Sequence, residues 1–180
     1  MQLSDYIKLY PNTYSIDECK KLLDDLAKKE WEKHSWYDPD AGTHTKESDP
    51  FVVDYHDFPL NPVMNKIGEY VKDLVLYPPI VKKLSYPRAN QYRQGCEMAV
   101  HNDHIHDIFD NNSGIPTLSI IVMLDEDYQG GELVYEFKDG DLSFKLRSGD
   151  VIIWPSLFMY PHRVNKVTEG VRTSIVTWAY

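Results

Sequence analysis

Histidine and aspartate, both good metal ligands, crowd into one short stretch, AVHNDHIHDIFDNN, at positions 99–112. His101, His104 and His106 stand there among Asp103, Asp107 and Asp110. His101 and Asp103 form the single H-x-D of the chain and close the run CEMAV. Residues i and i+2 of a strand share a face, so an imidazole and a carboxylate at that spacing can converge on one ion. The following HIHDIFDNNSG is polar and reads as loop, so His104 and His106 are expected to be solvated loop residues, the alternative being that one of them reaches back to a substrate. A third ligand has to come from elsewhere. His162 opens the strand-like HRVNKV after VIIWPSLFMYP, and a late strand can bring it beside His101. Two histidines and one carboxylate on one face of an ion form a facial triad with open positions opposite, a set typical of Fe(II). Zinc hydrolysis also uses His and carboxylate sets, so the triad alone leaves both metals in play.

Arg172 separates these readings. It follows His162 in PHRVNKVTEGVRTS, on the next apparent strand across a turn at Thr168-Glu169-Gly170, so hairpin pairing would aim it into the metal cavity. A buried Arg needs an anionic partner. An acid of the chain would make Arg172 structural. A carboxylate ligand would be gripped bidentately, with hydrogen bonds to charged groups worth about 1.5–3 kcal/mol. Fe(II) beside an inward Arg makes a 2-oxoglutarate site.

The elements that must position these residues fall into two textures. SIDECKKLLDDLAKKEW has a capping box at Ser15 and Glu18, with Ile16, Cys19, Leu22, Leu23 and Leu26 on one stripe. NPVMNKIGEYVKDLVLY has Pro62 in its first turn, with Val63, Ile67, Tyr70, Val71 and Leu74 recurring at threes and fours. Both predict amphipathic helices. Between them WYDPDAGTHTKESDPFVVDYHDFP, rich in Asp, Pro and Gly around a strand-like FVV, reads as an excursion over about 34–60, either a substrate lid or a plain connection. From Ile80 the chain breaks into short β-like runs separated by QG, NNSG, YQGG, KDGD and RSGD turns. Roughly eight strands after two helices predict a jelly roll buttressed by helices. The expected fold class is therefore mainly β with supporting helices (α+β), built on a double-stranded β-helix (jelly-roll) core: a single domain over 1–180, with a helical support and loop region in 1–79 and the jelly-roll core in 80–180.

Composition narrows the partners. A chain of 180 residues suits one domain with a real core. The net charge of −9 opposes a nucleic-acid backbone or an anionic membrane as the main partner. Cys19 and Cys96 supply neither a disulfide framework nor a paired zinc motif, which fits a reducing, cytoplasmic setting. No run has the pattern of a signal peptide or the length of a membrane span. Oligomeric state is not legible.

The ordered set His101-Asn102-Asp103, TLSIIVMLDEDYQGGELVYEF, SGDVIIWPS, HRVNKVTEGVR and Trp178, over about Tyr86 to Tyr180, resembles the prolyl 4-hydroxylase-like family of Fe(II)/2-oxoglutarate dioxygenases. The resemblance implies a double-stranded β-helix, in agreement with the strand count. It implies His101, Asp103 and His162 as iron ligands and Arg172 as the receptor of the distal carboxylate of 2-oxoglutarate. It implies Tyr92 as a hydrogen-bonding partner of that cosubstrate and Trp178 as part of the substrate pocket. Gly130 and Gly131 fit a turn that needs backbone freedom. Two positions depart from the family: Pro116 falls where many relatives carry Arg, and Met123 replaces a common Tyr. Arg88 is a candidate substitute, or else a solvated strand-end residue. The implied reaction uses Fe(II), 2-oxoglutarate and O2, with ascorbate as a possible reductant, to hydroxylate a C–H bond with release of succinate and CO2. Prolyl 4-hydroxylation of a peptide or protein is the expected outcome. A free amino acid or other small molecule is the alternative substrate. A non-catalytic metal-binding jelly-roll module, with Arg172 paired internally, and a hydrolytic zinc site are the alternatives of other classes.

Overall fold

A computed structural model describes residues 2–38, 43–74, 81–105 and 114–180, with residues 35–38 and 43–49 described by backbone alone. In chain order the regular elements are β1 (Lys8–Tyr10), α1 (Ile16–Leu26), β2 (Glu32–Asp38), β3 (Thr43–Asp54), α2 (Asn61–Asp73), β4 (Arg88–Arg93) and β5 (Met98–His101). They continue with β6 (Leu118–Met123), β7 (Tyr128–Gly130), β8 (Leu133–Tyr135), β9 (Leu142–Phe144), β10 (Val151–Pro155), β11 (His162–Val164) and β12 (Val167–Ala179), after a short 3-10 turn at Leu3–Tyr6.

The strands form two antiparallel sheets. The larger has the order β1-β10-β6-β12-β4-β3-β2, with β7 paired to β12, and the smaller has the order β5-β11-β8-β9. Alternation along β6 and β12 explains why both read as nearly continuous apolar runs. Ile120, Val122 and Ile175 point to one face of the large sheet and pack with Val63, Ile67 and Tyr70 of α2 and Cys19, Leu22 and Leu26 of α1. Ile121, Met123, Val176 and Trp178 point to the other face, towards Leu133, Tyr135 and Val164 of the small sheet. Each central strand is therefore buried on both sides, and any polar residue on its inner face needs a partner.

The helices follow the expected caps. Ser15 Oγ accepts from Glu18 N, and the Glu18 carboxylate accepts from Ser15 N at 2.8 Å. α1 stops at Leu26, short of Trp31, because the Trp31 indole donates to the Leu26 carbonyl at 3.2 Å and closes the helix end. Ile16, assigned to the buried stripe from its spacing, is 56% exposed. The end of the second predicted helix, Val75 to Tyr77, lies outside the described residues.

Two expectations need correction. The excursion over 34–60 is largely a hairpin: β2 pairs with β3, and β3 adds to the edge of β4 with Phe51 opposite Gln91 and Asp54 opposite Arg88. The β-branched and aromatic Phe51-Val52-Val53 satisfies an otherwise open strand edge, which outweighs the loop-like composition around it. The N-terminal part of the chain thus contributes strands to the large sheet as well as helices. The turn at Thr168–Gly170 is likewise absent. β12 runs through it, with Gly170 opposite Tyr128 of β7 at an irregular register. His162 and Arg172 consequently stand on facing sheets and are not hairpin partners. Among the described residues no helix is long and apolar enough to cross a membrane.

A candidate metal centre between the sheets

β5 ends at His101 and β11 begins at His162, and the two residues are directly opposite in register. Their rings lie 4.3 Å apart. Asp103 sits in the bend just after β5, 5% exposed, so its carboxylate reaches the gap between the sheets from beyond the strand end. His101 Nε2 is 3.8 Å from Asp103 Oδ1, and His162 Nε2 is 3.8 Å from Asp103 Oδ2. The potential ligand atoms of all three residues lie within 4.8 Å of one another. Neighbouring ligands on an ion bound at about 2.1 Å are about 3 Å apart, so small side-chain rotations would close the set.

The protonation pattern suits a metal. Carbonyl oxygens only accept, so His101 Nδ1 donates to Ala99 O and His162 Nδ1 donates to Tyr160 O, each at 2.9 Å. This fixes the tautomer that leaves both Nε2 lone pairs facing Asp103. Burial pushes the His162 pKa down, against the opposing pull of Asp103, and keeps the ring in its neutral, ligating form. Trp154 and Tyr135 pack against the His162 ring at 5.1 and 5.8 Å.

Arg172 is 1% exposed on the inner face of β12. Its Nε donates to Gly131 O at 3.1 Å and its Nη1 to Ser174 Oγ at 3.1 Å. Its Nη2 is buried with no hydrogen-bond partner among the described residues. Asp125 is the acid whose charge it feels, yet that carboxylate accepts from Thr173 N at 2.9 Å and forms no ion pair with Arg172. Burial raises the Asp125 pKa to about 6, against the opposing pull of the Arg172 guanidinium. Among the described residues one edge of this buried guanidinium is unsatisfied, which suits an anionic acceptor such as a ligand carboxylate. Tyr92 is opposite Arg172 in register, with its ring 5.1 Å from the Arg172 Cζ, and borders the same space. Gly131 makes room for the arrangement, since a Cβ there would meet Arg172 Cδ at 3.0 Å and its φ is +65°.

Trp178 also lies on this inner face, 6% exposed. Arg88 is on the same face at the other end of β4, opposite Val176, and is held by Asp54 at 3.4 Å. His104 stays out of the metal cluster and packs edge-on against Phe158 at 5.7 Å. His106, Asp107 and Asp110 lie outside the described residues. The spacing of motifs did not single out Ser119, Ser156, Tyr135 or Trp154, all buried around the centre. Ser119 leaves one sequence signal, a hydroxyl inside the apolar run TLSIIVML.

Two facing antiparallel sheets with a His-Asp-His set and an inward arginine define the double-stranded β-helix oxygenases. The sequence model of the 2OG-Fe(II) oxygenase superfamily matches residues 87–180, and the chain belongs to that superfamily. It is an oxidoreductase whose cofactors are Fe(II) and 2-oxoglutarate, with O2 as oxidant. A PKHD-type hydroxylase of Shewanella sp. (strain MR-7) is 27% identical over 176 residues, spanning 93% of this chain and 75% of the relative. The 2-oxoglutarate complex of a viral collagen prolyl hydroxylase from Paramecium Bursaria Chlorella virus-1 superimposes with a TM-score of 0.70 at 15% identity, covering 96% of this chain and 94% of the other. A prolyl hydroxylase from Trichoplax adhaerens, in complex with a hypoxia inducible factor oxygen degradation domain peptide fragment, gives 0.71 at 12% identity over 98% and 84%.

Proposed function

We propose that the chain is a single-domain hydroxylase in which His101, Asp103 and His162 ligate Fe(II) and Arg172, with Tyr92, receives the distal carboxylate of 2-oxoglutarate. Its substrate is a prolyl residue in a peptide or protein. The observation that carries the cosubstrate assignment is the unsatisfied Nη2 of Arg172. The substrate assignment is supported by the hydroxylases and prolyl hydroxylases to which the chain is similar.

Iron and 2-oxoglutarate supply an oxidation by O2 in which a C–H bond becomes C–OH while 2-oxoglutarate is split to succinate and CO2. The chain's own residues hold and orient. The two Nδ1 bonds to Ala99 O and Tyr160 O lock the imidazole planes. Arg172 and Tyr92, neighbours on the inner face of the large sheet, would set the direction of the cosubstrate. Asp103, His162 and Arg172 are all nearly inaccessible to water, whereas the His101 side chain is 23% exposed. Substrate therefore approaches from the β5 side, past His101, and the buried ligands are screened from solvent. The buried Cys19 and Cys96 remain thiols in the reducing, cytoplasmic setting of this reading.

Anaerobic addition of Fe(II) and 2-oxoglutarate should produce a weak visible charge-transfer band. Proline-containing peptides should then gain the mass of one oxygen with matching succinate. Absence of both band and succinate would overturn the oxygenase assignment for these residues. A band with succinate but no peptide product would redirect the search to free amino acids.

A further inference from the structure

Ser119 is fully buried on the inner face of β6, between Trp154 of β10 and Trp178 of β12 in register. Its Oγ donates to Asp103 Oδ2 at 2.6 Å. A second bond of 2.6 Å links it to Ser156 Oγ, itself 1% exposed. A hydroxyl has one proton, and an ionised carboxylate only accepts. Since Ser119 spends its proton on Asp103, Ser156 must be the donor in the second bond. Ser156 is in turn tied to the residue just before β6 through its backbone N–H, which donates to Thr117 O at 3.0 Å. The result is a directed chain, Ser156 to Ser119 to Asp103, in which each bond polarises the next.

We infer that this serine relay makes Asp103 a one-oxygen ligand: Oδ2 is held by the hydroxyl, and Oδ1 is left for the metal. The inference rests on the iron-centre reading proposed above. Its consequence is an accounting of coordination positions. A facial triad leaves three positions of an octahedral ion open. A cosubstrate chelating through two oxygens would take two of them and leave the last for O2. A carboxylate free to rotate and chelate through both oxygens would fill a fourth protein position and compete with one of these. Ser119 and Ser156 are thus positioning residues that act through Asp103, and the two indoles keep water from replacing them.

Co(II) in place of Fe(II) gives a visible spectrum sensitive to coordination number, so the relay can be read without turnover. In Ser119→Ala, Co(II) should still bind, with a spectrum showing an added protein ligand. Affinity for 2-oxoglutarate should fall roughly tenfold, about 1.4 kcal/mol. Ser119→Thr, which keeps the hydroxyl, should restore both, and Ser156→Ala should give a smaller shift in the same direction. A folded Ser119→Ala with the wild-type spectrum and wild-type 2-oxoglutarate affinity overturns the relay. If that variant fails to fold, Ser156→Ala decides: an unchanged spectrum and affinity overturn it equally. Wild-type protein that binds no Co(II) overturns the metal-centre reading itself, and the relay with it.

Discussion

Replacing Arg172 with methionine, of similar length and without charge, sets two free energies against each other. In the cosubstrate-free protein the guanidinium makes two hydrogen bonds, to Gly131 O and Ser174 Oγ, and leaves Nη2 unsatisfied at 1% exposure. Losing two such bonds costs about 1–3 kcal/mol each. Removing a buried charge that has no acid partner among the described residues recovers several kcal/mol of desolvation. The opposing effects leave the metal-free stability within about 2 kcal/mol of wild type. Binding behaves differently. A carboxylate gripped by two charge-assisted bonds loses about 1.5 kcal/mol or more for each, so 2-oxoglutarate affinity should fall roughly hundredfold. Metal affinity should not change, because Arg172 is not a ligand. Urea unfolding of the metal-free protein and anaerobic calorimetric titration of the Co(II) form measure the two quantities. The reasoning is refuted by cosubstrate affinity within about threefold of wild type. It is refuted equally by a stability loss of about 3–5 kcal/mol, which would mean that the arginine was paired inside the chain.

Other perturbations probe neighbouring parts of the site. His162→Ala should abolish tight metal binding, whereas His104→Ala, which loses an edge-on contact with Phe158, should leave it intact; equilibrium dialysis distinguishes them. Gly131→Ala should displace Arg172, because the new Cβ meets its Cδ at 3.0 Å, and so weaken 2-oxoglutarate while sparing the metal. Burial, helped by Arg88 and His101, pushes the His34 pKa down to about 4. The unfolded chain then binds a proton that the folded chain refuses. Stability contributed by the neutral ring is full above pH 6.5 and declines as pH falls towards about 4. His34→Gln should flatten that part of a pH titration of the melting temperature, and an unchanged slope would contradict the assignment. Ser15→Ala should cost about 1 kcal/mol of stability through loss of the α1 capping box, measured by thermal unfolding.

Local rules made much of the architecture legible. The capping box at Ser15, both amphipathic helices as far as Leu74 and most of the turn-punctuated strands after Ile80 correspond to elements of the structure, whereas exposed Ile16 and the expected turn at Thr168–Gly170 do not. The hairpin of β2 and β3 was hidden because its composition is that of a loop, and its stability comes from adding β3 to the edge of β4. Arg172 was correctly expected to face inward, but by the wrong route. β12 does not turn at Gly170, and the arginine is buried on the inner face of the sheet opposite the one that carries His101 and His162.

Residue chemistry and order along the chain were enough to nominate His101, Asp103, His162 and Arg172, since ligand type and charge belong to the side chains themselves. Three things are decided only by the tertiary structure. The register of β5 against β11 sets the two imidazoles side by side, 4.3 Å apart and tilted by 52°. The carbonyls of Ala99 and Tyr160 choose the tautomer of each ring. The hydroxyl of Ser119, from a strand of the other sheet, claims one oxygen of Asp103. These are distances and directions between segments far apart in the chain, and hydrogen bonds and metal coordination depend on such distances to within tenths of an ångström. No local pattern of residues encodes them.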